Sequence, residues 1–353
     1  MTIYQDLQTG RLHEFDEGVD PFKLNVSCYN PLWIGFIAPY SHIISDDGDK
    51  LNPTLDEINN NSYNGKKLSE AVLALPLKNS ENEYALISYD GGIALPRNND
   101  FAANNKAFKE LSKILCALLL GGVHVEAVYP HEVYCGSLSG LSNDLFCYAS
   151  TRHSLLRHNW ASLVDRALPL TSPRFLYISD LKKAYDAGSA ILDAIPHLTP
   201  SFLLYGYTAM IYNDPSDALA NFWVVVEQLT SKIRGQNPSN LKSSPSISKK
   251  HEILKENKVI SEDCFGRLNS ARKERNNLMH KGEIPNSTAI QNVWYSLHDL
   301  LEIASKISPL GMRNLVPTKQ TESSIVGKID LDEWYALTKQ LSDPSAATHS
   351  KVK

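Results

Sequence analysis

Over the first hundred residues, short apolar runs alternate with clusters of turn-forming residues. WIGFIAP (33–39) precedes SDDGDK, AVLALPL (71–77) precedes the polar KNSENE, and YALISY (84–89) precedes DGG. Apolar runs of this length bounded by Gly, Asp, Asn and Ser predict β-strands. At 104–120 the spacing changes: NNKAFKELSKILCALLL carries its apolar residues at helical intervals and stops at Gly121-Gly122, which predicts one helix. HVEAVYP, EVYCGSL and LFCYA follow as predicted strands.

After Pro173 the pattern becomes helical. FLYIS (175–179) is the last strand-like run, and from Leu181 onward Ala, Leu, Tyr and Lys recur at helical spacing. The clearest helix starts at Asp214-Pro215, with Asp as N-cap and Pro at the first helical position. Leu219, Phe222, Trp223, Val226, Leu229 and Ile233 form its apolar stripe. A polar loop, QNPSNLKSSPSIS (236–248), separates it from a second helix that runs from Ser261, with Glu262 and Asp263 in its first turn, to Gly282 just past its end. A third follows Ser287, with Ile290, Val293, Trp294, Leu297, Leu301 and Ala304 on one face; Phe222, Trp223 and Trp294 read as core. The expected class is therefore α+β. A sheet-rich N-terminal α/β or α+β domain (1–170) precedes an all-helical bundle (174–310) and a tail (311–353) with one short helix, LDEWYALTKQL.

Composition narrows the function classes. With 353 residues, 42% apolar and 21% charged, the chain is of globular type. Its longest strongly apolar run, 114–123, is far short of the roughly 20 residues a spanning helix needs. The N-terminus has no basic-then-apolar signal pattern, so a cytoplasmic protein without a membrane partner is expected. Cys28, Cys116, Cys135, Cys147 and Cys264 include no CxxC pair, which argues against a disulfide framework and a thiolate zinc site. HEVYC (131–135) lacks the second His of a zincin, DDGD (46–49) departs from calcium-loop spacing, and no phosphate-cradling Gly motif occurs. His124 and His131 read as structural or solvent-exposed. No metal and no cofactor are expected.

Charge is unevenly distributed. The chain carries −4 overall, yet residues 231–281 hold twelve basic against five acidic side chains, about +7, which leaves about −11 elsewhere. Two readings stay open: a solvated basic face, or a surface for a polyanion. The second helix sharpens the choice. Phe265, Leu268, Ala271, Leu278 and Met279 define its apolar stripe, and Arg275 falls in the middle. An unpaired buried guanidinium is costly, so this pattern requires either a carboxylate inside the bundle or a stripe facing a cleft or another subunit. Glu227, at the edge of the earlier helix's buried face, is the best available carboxylate, or else an ordinary boundary residue. Asn276 and His280 lie i, i+4 apart on a neighbouring face. His280 sits in the last turn, where the macrodipole favours a positive charge.

Arg275-Asn276 followed by His280, in ARKERNNLMHKG, resembles the RNxxxH form of the Rx4-6H motif of HEPN domains, all-helical modules of prokaryotic toxins and phage-defence proteins. FWVVVEQL, the long polar loop and a closing aromatic helix are similar to that family's order of elements over residues 174–310. The stretch LLLGGVHVEAVYPHEVYCGSL resembles N-terminal regions fused to HEPN modules of the ApeA-like kind. A loose Rx4-6H pattern arises about once by chance in such a chain, as Arg152 to His158 illustrates; requiring the Asn lowers this to roughly 0.02–0.03.

The resemblance implies a metal-independent endoribonuclease in which two motifs meet across a homodimer interface, acting in antiviral defence or as a toxin. It implies His280 as general base on the 2′-OH or general acid on the leaving 5′-oxygen, Arg275 as stabiliser of the phosphorane, and Asn276 as positioner of the phosphate. Glu227 would support Arg275, and the flanking Arg272, Lys273 and Lys281 would bind RNA. An antitoxin or a phage-derived trigger would be a further partner. Two other readings compete. One is a non-catalytic HEPN-like module that binds RNA or protein; the other is a purely structural pair of Arg275 and Glu227, with His280 capping its helix.

Overall fold

The computed structural model describes residues 2–5, 12–15, 31–39, 41–44, 62–63, 66–77, 83–97, 104–138, 144–148, 174–236, 246–309 and 311–315. Cys28, DDGD, the Arg152–His158 match, most of the predicted 236–248 loop and the predicted 331–341 helix lie outside the described residues. Twelve strands are present among those described. They are β1 (Thr2–Gln5), β2 (Leu12–Phe15), β3 (Leu32–Phe36), β4 (Ser41–Ile44), β5 (Ser62–Tyr63), β6 (Lys66–Lys67), β7 (Ala71–Pro76), β8 (Tyr84–Ser88), β9 (Gly92–Pro96), β10 (Tyr134–Leu138), β11 (Leu145–Cys147) and β12 (Arg174–Tyr177). Six of them form an antiparallel sheet in the order β11-β10-β3-β9-β8-β7. β12 pairs β4 in parallel.

Apolar residues cover both faces of the large sheet. Leu73, Leu75, Ile87, Ile93 and Leu95 face one cluster, and Leu32, Ile34, Phe36, Leu86 and Ala94 face another. Burial on both faces is why β7 to β9 read as continuous apolar runs instead of alternating ones. Helix α1 (Asn104–Leu120) lies against the first face and is almost wholly buried from Ile114 to its end. Gly35 permits this approach, since a Cβ there would meet Leu111.

Six more helices follow: α2 (Ile178–Ala194), α3 (Pro200–Ile211), α4 (Pro215–Gln236), α5 (Ile247–Glu256), α6 (Glu262–Lys281) and α7 (Ser287–Ser305). The α+β class expected from the pattern is the observed one. At Gly188 of α2, a Cβ would overlap the Ala117 carbonyl, so the α1–α2 contact depends on glycine. One apolar cluster runs from the sheet through α1 and α2 into α3, α4, α6 and α7. Its aromatic centre is Trp294, stacked on Tyr207 at 5.2 Å and tilted against Phe222 at 5.5 Å.

Three local expectations are corrected. HVEAVYP is not a strand: its backbone is bonded outside any ladder, Glu126 N to the Ala38 carbonyl (2.6 Å) and Ala127 N to Thr208 Oγ1 (2.7 Å). The segment ends in a 3-10 turn, Pro130–Glu132. Helix α2 begins at Ile178, directly after β12, so FLYIS is only partly strand. Helix α5 starts at Ile247, inside the predicted 236–248 loop, and lies between that loop and the helix that starts at Ser261. No described helix is long and apolar enough to cross a membrane.

Candidate active site

Helix α6 carries the predicted site, and its boundaries follow from its end residues. Ser261 Oγ accepts a hydrogen bond from Cys264 N at 3.1 Å, and Gly282 adopts the left-handed conformation (φ 69°) that ends the helix. The first half is anchored. Cys264, Leu268 and Ala271 are buried, and burial pushes the Cys264 thiol up to about 12, leaving it inert. Arg267 is paired with Asp263 on its own helix and with Asp299 on α7.

From Arg272 onward no residue of α6 is buried. Arg275 and Asn276 are half-buried, His280 is exposed, and Met279 is 57% exposed. Residues 275, 276 and 280 span little more than one helical turn and open on the same end of the helix. Ile284, just beyond the cap, is 75% exposed. The apolar stripe interrupted by Arg275 thus leaves the core within this chain. Among the described residues no carboxylate pairs with Arg275.

Glu227 is placed elsewhere. It is exposed on α4, and its Oε1 accepts from Trp223 Nε1 at 2.8 Å rather than from Arg275. Tethering a buried indole N–H in this way satisfies a donor that would otherwise be costly. The structural reading that required an Arg275–Glu227 pair lacks that pair.

The basic window is partly neutralised. Lys249 pairs with Glu252, Lys255 with Glu262, and Lys281 approaches Glu283 at 3.6 Å. Lys273 is exposed and makes no ion pair with the described residues. Arg272 donates to Asn269 Oδ1 at 3.0 Å. It also lies within electrostatic range of His251, which burial, helped by Arg272 and Lys250, holds down at about 4. His251 Nε2 meets Thr230 Oγ1 at 3.0 Å, with the Trp223 ring edge-on at 6.3 Å. This second histidine is a neutral strut joining α4 to α5.

His124 Nδ1 bonds the Tyr207 hydroxyl at 2.7 Å, and exposed His131 stacks on Tyr129 at 5.8 Å. No group of three His, Cys, Asp or Glu side chains among the described residues converges to hold a metal ion. Sequence reasoning passed over a cleft lined by Glu126, Tyr129, Glu132 and Tyr212, because these residues come from separate elements and form no motif. No family model, curated protein or solved structure matches this chain.

Proposed function

We propose that the chain is a metal-independent endoribonuclease of the HEPN type, acting in prokaryotic antiviral defence or as a toxin. One observation carries the reading: Arg275, Asn276 and His280 stand together on the open end of α6, and the guanidinium has no carboxylate partner among the described residues. A structural arginine in the line of a helix's core stripe would be neutralised at home. This one is left for an anion. The exposed Met279 and Ile284 beside it are apolar surface of the kind that a second subunit covers.

In this reading the apolar rim joins two copies, so that two α6 ends share one cleft. One His280 takes the proton of a ribose 2′-OH as the oxygen attacks the adjacent phosphorus. The His280 of the other copy gives a proton to the departing 5′-oxygen. Arg275 stabilises the extra negative charge on the phosphorane, and Asn276 orients the phosphate. The products carry a 2′,3′-cyclic phosphate and a 5′-hydroxyl. Exposed Lys273 and Lys281 add attraction for the backbone, which makes binding salt-dependent.

The test is cleavage of a mixed tRNA and mRNA pool in EDTA by wild type and His280→Ala. Cleavage by wild type that the variant loses supports the assignment. Equal cleavage by both proteins contradicts it, and no cleavage by either favours a binding module.

A further inference from the structure

Where the sheet meets the helices, the extended 123–129 segment, the Pro130–Glu132 turn and the end of α3 enclose a cavity of about 180 Å³. It opens into a second hollow of about 350 Å³, with Tyr129, Thr208 and Tyr212 common to both. Glu126 lines the inner cavity. It is only 6% exposed, and its Oε1 accepts from the Tyr212 hydroxyl at 2.7 Å. No cation pairs with it among the described residues.

Around this carboxylate the walls are aromatic and acidic. Tyr129 stacks on Tyr205 at 5.1 Å, Tyr212 is 60% exposed at the rim, and Glu132 sits opposite. Asp214 and Asp217 line the outer hollow. Among the described residues, neither hollow is lined by a lysine or arginine. Burial raises the Tyr129 hydroxyl above its usual range, and the nearby Glu132, Asp217 and Glu126 carboxylates add to that rise.

A nearly buried carboxylate is ordinarily paired. Here the pairing charge must come from outside, and the field repels phosphates and carboxylates. A hard metal ion needs several converging oxygens, and none of the described His, Cys, Asp and Glu side chains form such a group. Tyrosine faces beside a carboxylate suit an organic cation, which gains from both ring quadrupole and charge.

We propose that this cleft binds an alkylammonium group, seated on Glu126 beside the Tyr212 ring. The group arrives on a free amine or on the lysine side chain of a protein. The site is separate from the α6 end and stands whether or not that end cuts RNA.

Ligand-observed NMR titration of the full chain tests it, with putrescine and N-acetyl-lysine methylamide as probes and butanol and butyrate as controls. Saturable binding of either amine, with no binding of the controls, is the expected result. Tighter putrescine assigns a free amine, and tighter lysine amide assigns a protein side chain. Glu126→Gln keeps the shape and weakens binding about tenfold or more. Tyr212→Ala, at an exposed position that leaves the core intact, weakens it several-fold and decides the matter if the first variant does not fold. Absence of saturable amine binding up to about 10 mM, butanol binding as well as the amines, or unchanged affinity in the folded variants overturns the proposal.

Discussion

The two halves of α6 obey opposite rules within one continuous helix. In the first, the charges and the apolar stripe are held within the chain: Ser261 caps the start, Arg267 pairs with two carboxylates, and Cys264, Leu268 and Ala271 are sealed in the core. In the second, no described carboxylate pairs with Arg275, His280 stands in solvent, and Met279 is exposed although it continues the same stripe. The second half keeps its Gly282 cap on the Asn277 and Leu278 carbonyls but buries no side chain. Under the proposed function, its charged groups wait for a ligand from outside.

Substitutions in the two halves should therefore separate activity from stability. The largest effect is expected for His280→Ala, which should slow RNA cleavage about 10²–10⁴-fold while the urea midpoint stays unchanged. Leu268→Ala, one turn before the open half, should instead lower unfolding stability by about 2–5 kcal/mol, read from denaturant curves. Acid should act through buried histidines. His251 and His42, which is buried in β4, are both held near 4 by burial, against 6.5 when unfolded. The unfolded chain gains these protons first, so stability is level above about 6.5 and falls as pH drops from there toward 4. His251→Gln should remove roughly 2–3 kcal/mol of that fall, measured by thermal melts across the window. Ser261→Ala, which removes the cap of the anchored half, should cost about 1 kcal/mol. Met279→Ser should change chain stability by less than about 0.5 kcal/mol yet weaken self-association in sedimentation velocity.

What the sequence disclosed follows from how local each signal is. Helix α1 was readable at both ends because its apolar spacing and its Gly121-Gly122 stop lie in one continuous stretch. The ends of α6 were likewise written in Ser261 and Gly282. HVEAVYP misled because Val125, Ala127 and Val128 are buried as in a strand, while their backbone partners are a loop carbonyl and a threonine hydroxyl far along the chain. Helix α5 was hidden because it buries only His251 and Leu254, too few to show a stripe. Glu227 sat at the stripe's edge, where a small rotation decides between core and solvent, and it lies on the solvent side, bonded to Trp223 Nε1. The Glu126 cleft left no trace, since its walls are assembled by tertiary contacts alone.

If the open end of α6 cuts RNA as proposed, the cut depends on the neighbouring 2′-hydroxyl. The most direct test is an RNA substrate in EDTA in which the nucleotide 5′ to a mapped cut is replaced by its 2′-deoxy form. Cleavage at that linkage should disappear, while other cuts persist and end in 2′,3′-cyclic phosphate. Continued cleavage at the deoxy linkage would contradict the proposal.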